Sequence, residues 1–588
     1  MQEISRVEGE TLVKRLIKAV AQAIPTYTMN CFKILDSLCD ELTSLIRNFW
    51  WGQKQNERKM AWLSWDKLCE PKAAGGMGFR QLKQFNLALL AKQGWRLQTM
   101  QDSLLYRLFK ARYFPRTDFI NASIGTNPSY VWRSIMEAQY LVKEGSRWSV
   151  GKGTSIRVWS DKWLPSTSTY KVVSPRLFLS VDTKVCELID QESTQWKAQV
   201  IDTLFLPHEA ECIKSIPLSI QPPDDRIIWA ESANGLFTVW SAYKLAMNLS
   251  RSPNYGSSSD ESQTKKFWKL LWRIQAPHKI RHFIWRACRD SLPTKTNLVR
   301  RKILQEDCCS DCHEEPETTG HLFWSCPRAR EVWSCTKIHF SIAVDKIRSC
   351  FDLMWHMIME GKYEESKVAL VAAIAWAIWS NRNEVRNGGK KKSGGELVQW
   401  TSRYLKEYYV ALDKPATVPE VHVERWTPPP PDRYKVNVDG AVFKAQKAVG
   451  VGVLIRDCHG QVIAALSKRI NAPLGPLETE AKAFEAGVQF ARDIGVQDII
   501  IEGDSLTVVN ALCGNISPPS SVAVVIAGIK VLSGFVRRVD YSHVRRQCNR
   551  PAHLLAKHAS GIIDFIAWLE ENPCFIEQSL RHDVLNLN

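Results

Sequence analysis

From Tyr434 the chain changes period. YKVNVDGA alternates apolar and polar residues and ends at Asp439-Gly440, and GVGVLIRDCHGQVIAALSKRI reads as two strands about a turn at His459-Gly460. Leu477–Ile494 predicts a helix with Ala481, Phe484, Val488 and Ala491 on one face. VQDIIIEGDS reads as a buried strand closing at Asp504, and a helix follows it. VDYSHVRR supplies another strand and Pro551–Ala559 a last helix. The order β-β-β-α-β-α-β-α predicts an α/β domain, a mixed five-stranded sheet with helices packed on it.

Three carboxylates stand out in this pattern by position. Asp439 ends the first strand, Glu480 lies within the first helix, and Asp504 ends the fourth strand. Glu478 and Glu485 compete for the helical role. Acids at strand ends can meet at one sheet edge, and an inward-facing helical acid can join them. Clustered acids repel unless a cation neutralises them, and hard divalent ions prefer oxygen ligands. Two such ions can activate water and steady the leaving oxygen in phosphodiester cleavage.

VDGA, ETEAKAFEAG, EGDS and the tail SHVRRQCNRPAHLLAK resemble the ribonuclease H domain of plant retroelements, in order and spacing, over about 434–560. The resemblance implies that Asp439, Glu480 and Asp504 hold Mg2+ or Mn2+. Glu480 matches the acid of the family's Ala-Glu-Ala pattern, with Thr479 in place of the first Ala. The family's fourth catalytic acid falls at position 553, where this chain has His553. A histidine can bind a metal or shuttle protons, but it brings no fixed negative charge.

Upstream, CCSDCHEEPETTGHLFWSC holds Cys309, Cys312, His321 and Cys326 as C-x2-C-x8-H-x4-C. A two-residue gap lets one turn present both thiolates, and four protein ligands describe a structural Zn2+ site rather than a catalytic one. Cys308 could replace Cys309, and His313 is a competing donor. The stretch Lys265–Lys302 before it carries twelve Lys and Arg against one acid, Asp290. Single-sign charge of that density predicts phosphate binding. Lys279, Arg281, Arg286 and Arg289 are its candidate contacts, while Trp268, Trp272 and Trp285 are expected to pack in a core. FWKLLWRIQAPHKIRHFIWRA followed by the four ligands resembles the zinc-binding domain of the same retroelements.

The N-terminal half reads as mainly helical, with candidates at Leu12–Ala23 and Ser37–Trp51, a glycine turn at Gly75, Gly76 and Gly78, and strand-like alternation at Arg147–Trp159 and Ile227–Val239. AVAQAIPTYTM, FWWGQ, SWDKLC, GGMGFR, NLALLAKQGWRL, NPSYVWRSI and RWSVGKGTSIRVWSDKWLP stand in the order of plant LINE-type (non-LTR) reverse transcriptases. That resemblance implies the region after the polymerase palm, with thumb-like helices. The paired aspartates of a polymerase are missing. Asp224-Asp225 follows two prolines and reads as a loop, so no polymerase activity is expected.

The divisions expected are 1–165 (polymerase-distal), 166–264 (connecting, with a Ser-rich linker), 265–386 (zinc-binding), 387–432 (Gly/Lys- and Pro-rich linker), 433–562 (ribonuclease H-like) and 563–588 (tail). A net charge of +17, from 78 basic and 61 acidic residues, favours a polyanionic partner. VALVAAIAWAIW is too short to span a bilayer, which takes about 20 residues. MQEISRVEGE has three acids and argues against a secretory signal, so the sixteen cysteines read as reduced thiols or metal ligands. The function expected is hydrolysis of the RNA strand of RNA–DNA hybrids by a nuclear or cytoplasmic protein, neither secreted nor on a membrane. The alternative is a catalytically silent nucleic-acid-binding remnant. No small-molecule cofactor is called for, and the oligomeric state stays open.

Overall fold

The apolar run Val368–Trp379 lies inside helix Glu365–Arg386, where nearly every residue from Val368 to Arg382 is buried. A helix apolar all round is a core helix when other elements cover every side. No helix among the described residues is long and apolar enough to cross a membrane. The computed structural model describes residues 13–52, 59–165, 169–176, 179–250, 260–340, 347–361, 363–412 and 426–585. The segment MQEISRVEGE, residues 251–259 of the Ser-rich linker and 413–425 of the Pro-ending linker lie outside them.

The chain forms two compact units, each from separated segments: 1–90, 129–137 and 246–418 in one, 91–128, 138–245 and 419–588 in the other. In the first, the basic helix His278–Cys288 buries Ile280, His282, Phe283, Ile284, Trp285, Ala287 and Cys288. Trp268 and Trp285 are core residues. Trp285 Nε1 donates to Gly75 O at 2.8 Å, and Gly75 adopts a left-handed φ of +81° in the expected glycine turn. A side chain there would run into Trp268 and Arg289. Helix Asp36–Trp50 forms at the second N-terminal candidate. The stretch 387–432 is not all linker. Helix Gly394–Leu412 occupies much of it, because Leu397, Thr401 and Leu405, spaced four apart, bury one face. The glycine–lysine run is the turn into that helix.

In the second unit the strand-like segments pair only over Ser146–Ser149 and Arg226–Trp229, antiparallel. Asp224-Asp225 is a loop with a structural task. The Asp225 carboxylate accepts from the Gly151, Gly153 and Ser155 N–H groups at 2.8 Å each, and Asp224 pairs with Lys152 at 2.8 Å.

The C-terminal sheet has six strands, one more than the period predicts. We number them β1 (Tyr434–Phe443), β2 (Ala448–Arg456), β3 (Val462–Ile470), β4 (Asp498–Gly503), β5 (Arg538–His543) and β6 (Phe565–Leu569), in the order β6-β3-β2-β1-β4-β5. The helices are α1 (Pro476–Asp493), α2 (Leu506–Leu512), α3 (Ala523–Ser533), α4 (Arg550–His558) and α5 (Glu577–Leu585). The sixth strand, FIAWL, lacks the alternation of a half-buried strand because its residues are mostly exposed at the sheet edge. It pairs antiparallel with β3. β4 runs parallel to β1, and β5 parallel to β4. β2 is buried at all nine positions, because both faces of the sheet are covered. Val451, Val453 and Ile455 join the main core with α1, α2 and α3, while Leu454 meets Leu555 of α4 and Ile576 and Leu580 of the tail.

The expected tail 563–588 is therefore part of the domain. Fully buried Arg456 reaches Asp583 of α5 at 3.0 Å and Asn437 at 2.8 Å, and its guanidinium lies 3.5 Å from the Trp426 ring centroid. Nothing periodic marks α5 as required; the need arises from a charged residue ending a buried strand.

Candidate functional site

The parallel pairing of β1 and β4 builds the carboxylate cluster. Asn437 lies beside Glu502 in register, so two residues on Asp439 lies beside Asp504. Asp504 follows the last residue of β4, whereas Asp439 lies inside β1, which does not end there as expected but continues against β2 to Phe443. Glu480 comes from the first turns of α1, which can approach because Gly440 has no side chain. A Cβ on Gly440 would sit 2.7 Å from Thr479 Cγ2 and 3.1 Å from the Thr479 carbonyl carbon. One carboxylate oxygen from each of Asp439, Glu480 and Asp504 lies within 4.8 Å of the others. Gly440→Ala is expected to push α1 outward, costing about 1–3 kcal/mol and loosening the cluster. Denaturant titration and Mg2+ titration of the same variant check both effects.

The cluster is electrostatically loaded. Burial, then the Asp439 and Asp504 charges, push Glu480 up to about 9. Burial and the Asp504 charge push Asp439 up to about 6. Glu480 Oε2 is buried with no hydrogen-bond partner. Three oxygen donors, mutual repulsion and an orphaned buried oxygen fit a hard divalent cation. His553, on α4, meets Asp439 Oδ2 through Nδ1 at 2.5 Å. Glycines place it there too, since a Cβ at Gly450 or Gly452 would lie 2.1 or 2.2 Å from α4 carbonyl oxygens. Sequence reasoning missed this second close approach, although GVGV in a strand is its signal. Glu485 is spent elsewhere. Fully buried, it accepts from Ser219 Oγ at 2.6 Å and Ile220 N at 2.9 Å, and it pairs with Lys482.

The sulfur cluster assembles in the other unit. Cys309, Cys312, His321 and Cys326 place their ligand atoms within 4.8 Å of one another, while Cys308 and His313 stay outside the group. Cys309 and Cys326 Sγ are 4.0 Å apart, and Cys312 Sγ is 3.3 Å from His321 Nε2. A tetrahedral zinc with ordinary bond lengths sets these separations at about 3.8 and 3.5 Å. His321 Nδ1 meets Glu315 Oε2 at 3.0 Å, which turns Nε2 to the thiols. Glu315 is a supporting residue the sequence reading did not name. The adjacent Glu317 is buried against Arg382 of the core helix.

A family model described as reverse transcriptase-like matches residues 437–559, and one described as zinc-binding in reverse transcriptase matches 237–333. The chain belongs to the retroelement reverse transcriptase-like family. An Arabidopsis thaliana protein provisionally named a ribonuclease H protein is 26% identical over 97% of this chain and 92% of its own length. An uncharacterized mitochondrial protein of the same plant is 45% identical over 24% of this chain and 93% of its own. Among solved structures, ribonuclease H1 of Halobacterium salinarum aligns at 25% identity over 22% of this chain and 98% of its own, with a TM-score of 0.21.

In this reverse transcriptase-like chain the four cations expected to contact phosphate, Lys279, Arg281, Arg286 and Arg289, are half-buried. Lys279 Nζ lies 4.7 Å from the Trp376 ring centroid and 4.5 Å from that of Tyr404. Arg281 donates to Trp272 O and Arg286 to Ser291 O. Arg289 donates to Gly75 O and Glu70 Oε2 at 2.8 Å and to Ala74 O at 3.0 Å. A helix buried on most of its surface leaves its arginines to bond other segments. The exposed cations of the stretch are Lys265, Lys266, Lys269, Arg273, Arg300, Arg301 and Lys302. Arg289→Ala is expected to lower unfolding stability by about 1–3 kcal/mol, read by urea titration, because it frees buried carbonyls of the glycine turn.

Proposed function

We propose that the protein hydrolyses the RNA strand of RNA–DNA hybrids at Asp439, Glu480 and Asp504, and that its cysteine–histidine cluster holds a structural Zn2+. The observation that carries this reading is the carboxylate trio, buried at Asp439 and half-buried at Glu480 and Asp504, with its unsatisfied Glu480 oxygen. Mg2+ or Mn2+ held there would activate a water and steady the leaving oxygen. Asp439 and Asp504, just past the paired stretch of β1 and β4, would fix the geometry, and Glu480 would close the site from the helix side.

Ionised Asp439 would accept a hydrogen bond from the His553 Nδ1–H, which leaves Nε2 of that ring as a proton acceptor beside the site. Hybrid selection would rest on contacts to the 2′-hydroxyl. Phosphate neutralisation falls to exposed cations such as Lys269, Arg273 and Lys302. The partner proposed is nucleic acid, met in the nucleus or cytoplasm.

The test is cleavage of an end-labelled RNA–DNA hybrid by the full chain, with Mg2+, with Mn2+ and with EDTA. Metal-dependent cutting of the RNA strand alone is expected. A chain that binds the hybrid and never cuts it is the silent remnant instead.

A further inference from the structure

Helix Gly394–Leu412 carries Trp400, Tyr404 and Tyr408 at four-residue spacing, a stripe about 12 Å long on one side of the helix. Its buried residues are others, Leu397, Thr401 and Leu405, and Trp400 keeps 45% exposure. Two rings of the stripe form a stack. The Trp400 and Tyr404 rings lie 5.3 Å apart with planes 4° from parallel, and Trp376 of the neighbouring helix lies 5.5 Å from Trp400. Lys279 brings its ammonium against Trp376 and Tyr404. Arg403 and Lys406 are exposed on the same helix, and Glu407 is the one acid between Trp400 and Tyr408.

We propose that this face binds single-stranded nucleic acid, bases stacking on Trp400 and its neighbours while exposed Arg403 and Lys406 draw in the phosphates. An exposed Trp400 ring stacked on half-buried Tyr404 and bordered by cations suits a ligand with flat faces and negative charge. An apolar protein partner would have to bury those cations unpaired. Twelve ångströms spans about three base steps at roughly 3.4 Å each. Stacking needs no hydrogen-bond readout, so the face tolerates any base order. The site is separate from the carboxylate cluster and does not rest on the hydrolytic reading.

The test uses the full chain in EDTA, titrating fluorescent oligo(dT), oligo(U) and an abasic strand of equal charge. Trp400→Leu keeps apolar volume without a π face, and Trp400→Phe restores one. Both base-bearing strands are expected to bind, the Leu variant about tenfold more weakly and the Phe variant close to the parent. The abasic strand should bind weakly and without regard to residue 400. The titrations in EDTA need no cleavage, so a failed cleavage assay leaves this result standing. Equal affinity of Trp400→Leu and parent, or of abasic strand and oligo(dT), overturns the proposal. If Trp400→Leu does not fold, the abasic comparison on the unmodified chain decides alone.

Discussion

Asp504→Asn is expected to end hybrid cleavage and, without metal, to make the protein more stable at pH 8. The cleavage loss should be on the order of 10²–10³-fold, since one oxygen donor and one charge leave a preorganised site. The gain in stability follows from the same charge. Glu480 is raised from 4.5 to about 9 and Asp439 from 3.8 to about 6, so the metal-free fold holds protons that the unfolded chain has already released. The stability of the metal-free protein must then fall as pH rises through about 4 to 9. Removing the Asp504 charge, which contributes to both shifts after burial, should flatten that fall. Thermal melts in EDTA across this window give the reading. Added Mg2+ should lift the parent at the alkaline end and leave Asp504→Asn nearly unmoved. Undiminished cutting by the variant places the reaction elsewhere, and a lower alkaline melting temperature rejects the repulsion.

Removal of zinc is expected to have the largest effect on stability. Metal in a closed four-ligand site contributes on the order of 10 kcal/mol to the fold around it. Cys326 both belongs to the cluster and precedes helix Pro327–Ser334, whose Trp333 donates to Phe323 O at 2.8 Å. Cys326→Ser should therefore lose the ion and loosen that helix together. Without the ion, hydrogen bonds and burial keep Cys326 protonated, and the Cys309 thiolate holds His321 up to about 9. Binding must expel those protons, so zinc affinity should rise with pH between 6 and about 9. Elemental analysis of the full chain and tryptophan fluorescence during chelation measure both. A substoichiometric metal content, with Cys326→Ser as stable as the parent, would remove zinc from the account.

The two clusters were legible in the sequence for different reasons. Cysteine–histidine spacing acts locally, because one tight turn and one helix entry bring the four side chains together. Asp439 and Asp504 are 65 positions apart, yet each lies where the parallel pairing of β1 and β4 runs out, and that pairing brings them together. Period cannot say which helical acid turns inward, and here the missing side chain of Gly440 settles the approach of Glu480. The basic helix was less legible. Charge density reports composition, whereas exposure depends on what covers a helix, and distant residues 70–75 occupy Arg289. Sheet closure was the least legible, since β6 lies on an exposed edge without alternation.

The pairing of Arg456 with Asp583 has a consequence for how this sequence can decay. A premature stop codon anywhere between β6 and residue 583 removes Asp583, and it strands a guanidinium inside β2 of the ribonuclease H-like domain. Such a copy would be cleared as a misfolded product before its carboxylates had changed. In a lineage of drifting copies, an intact reading frame through α5 is then a better sign of a retained fold than an intact carboxylate trio.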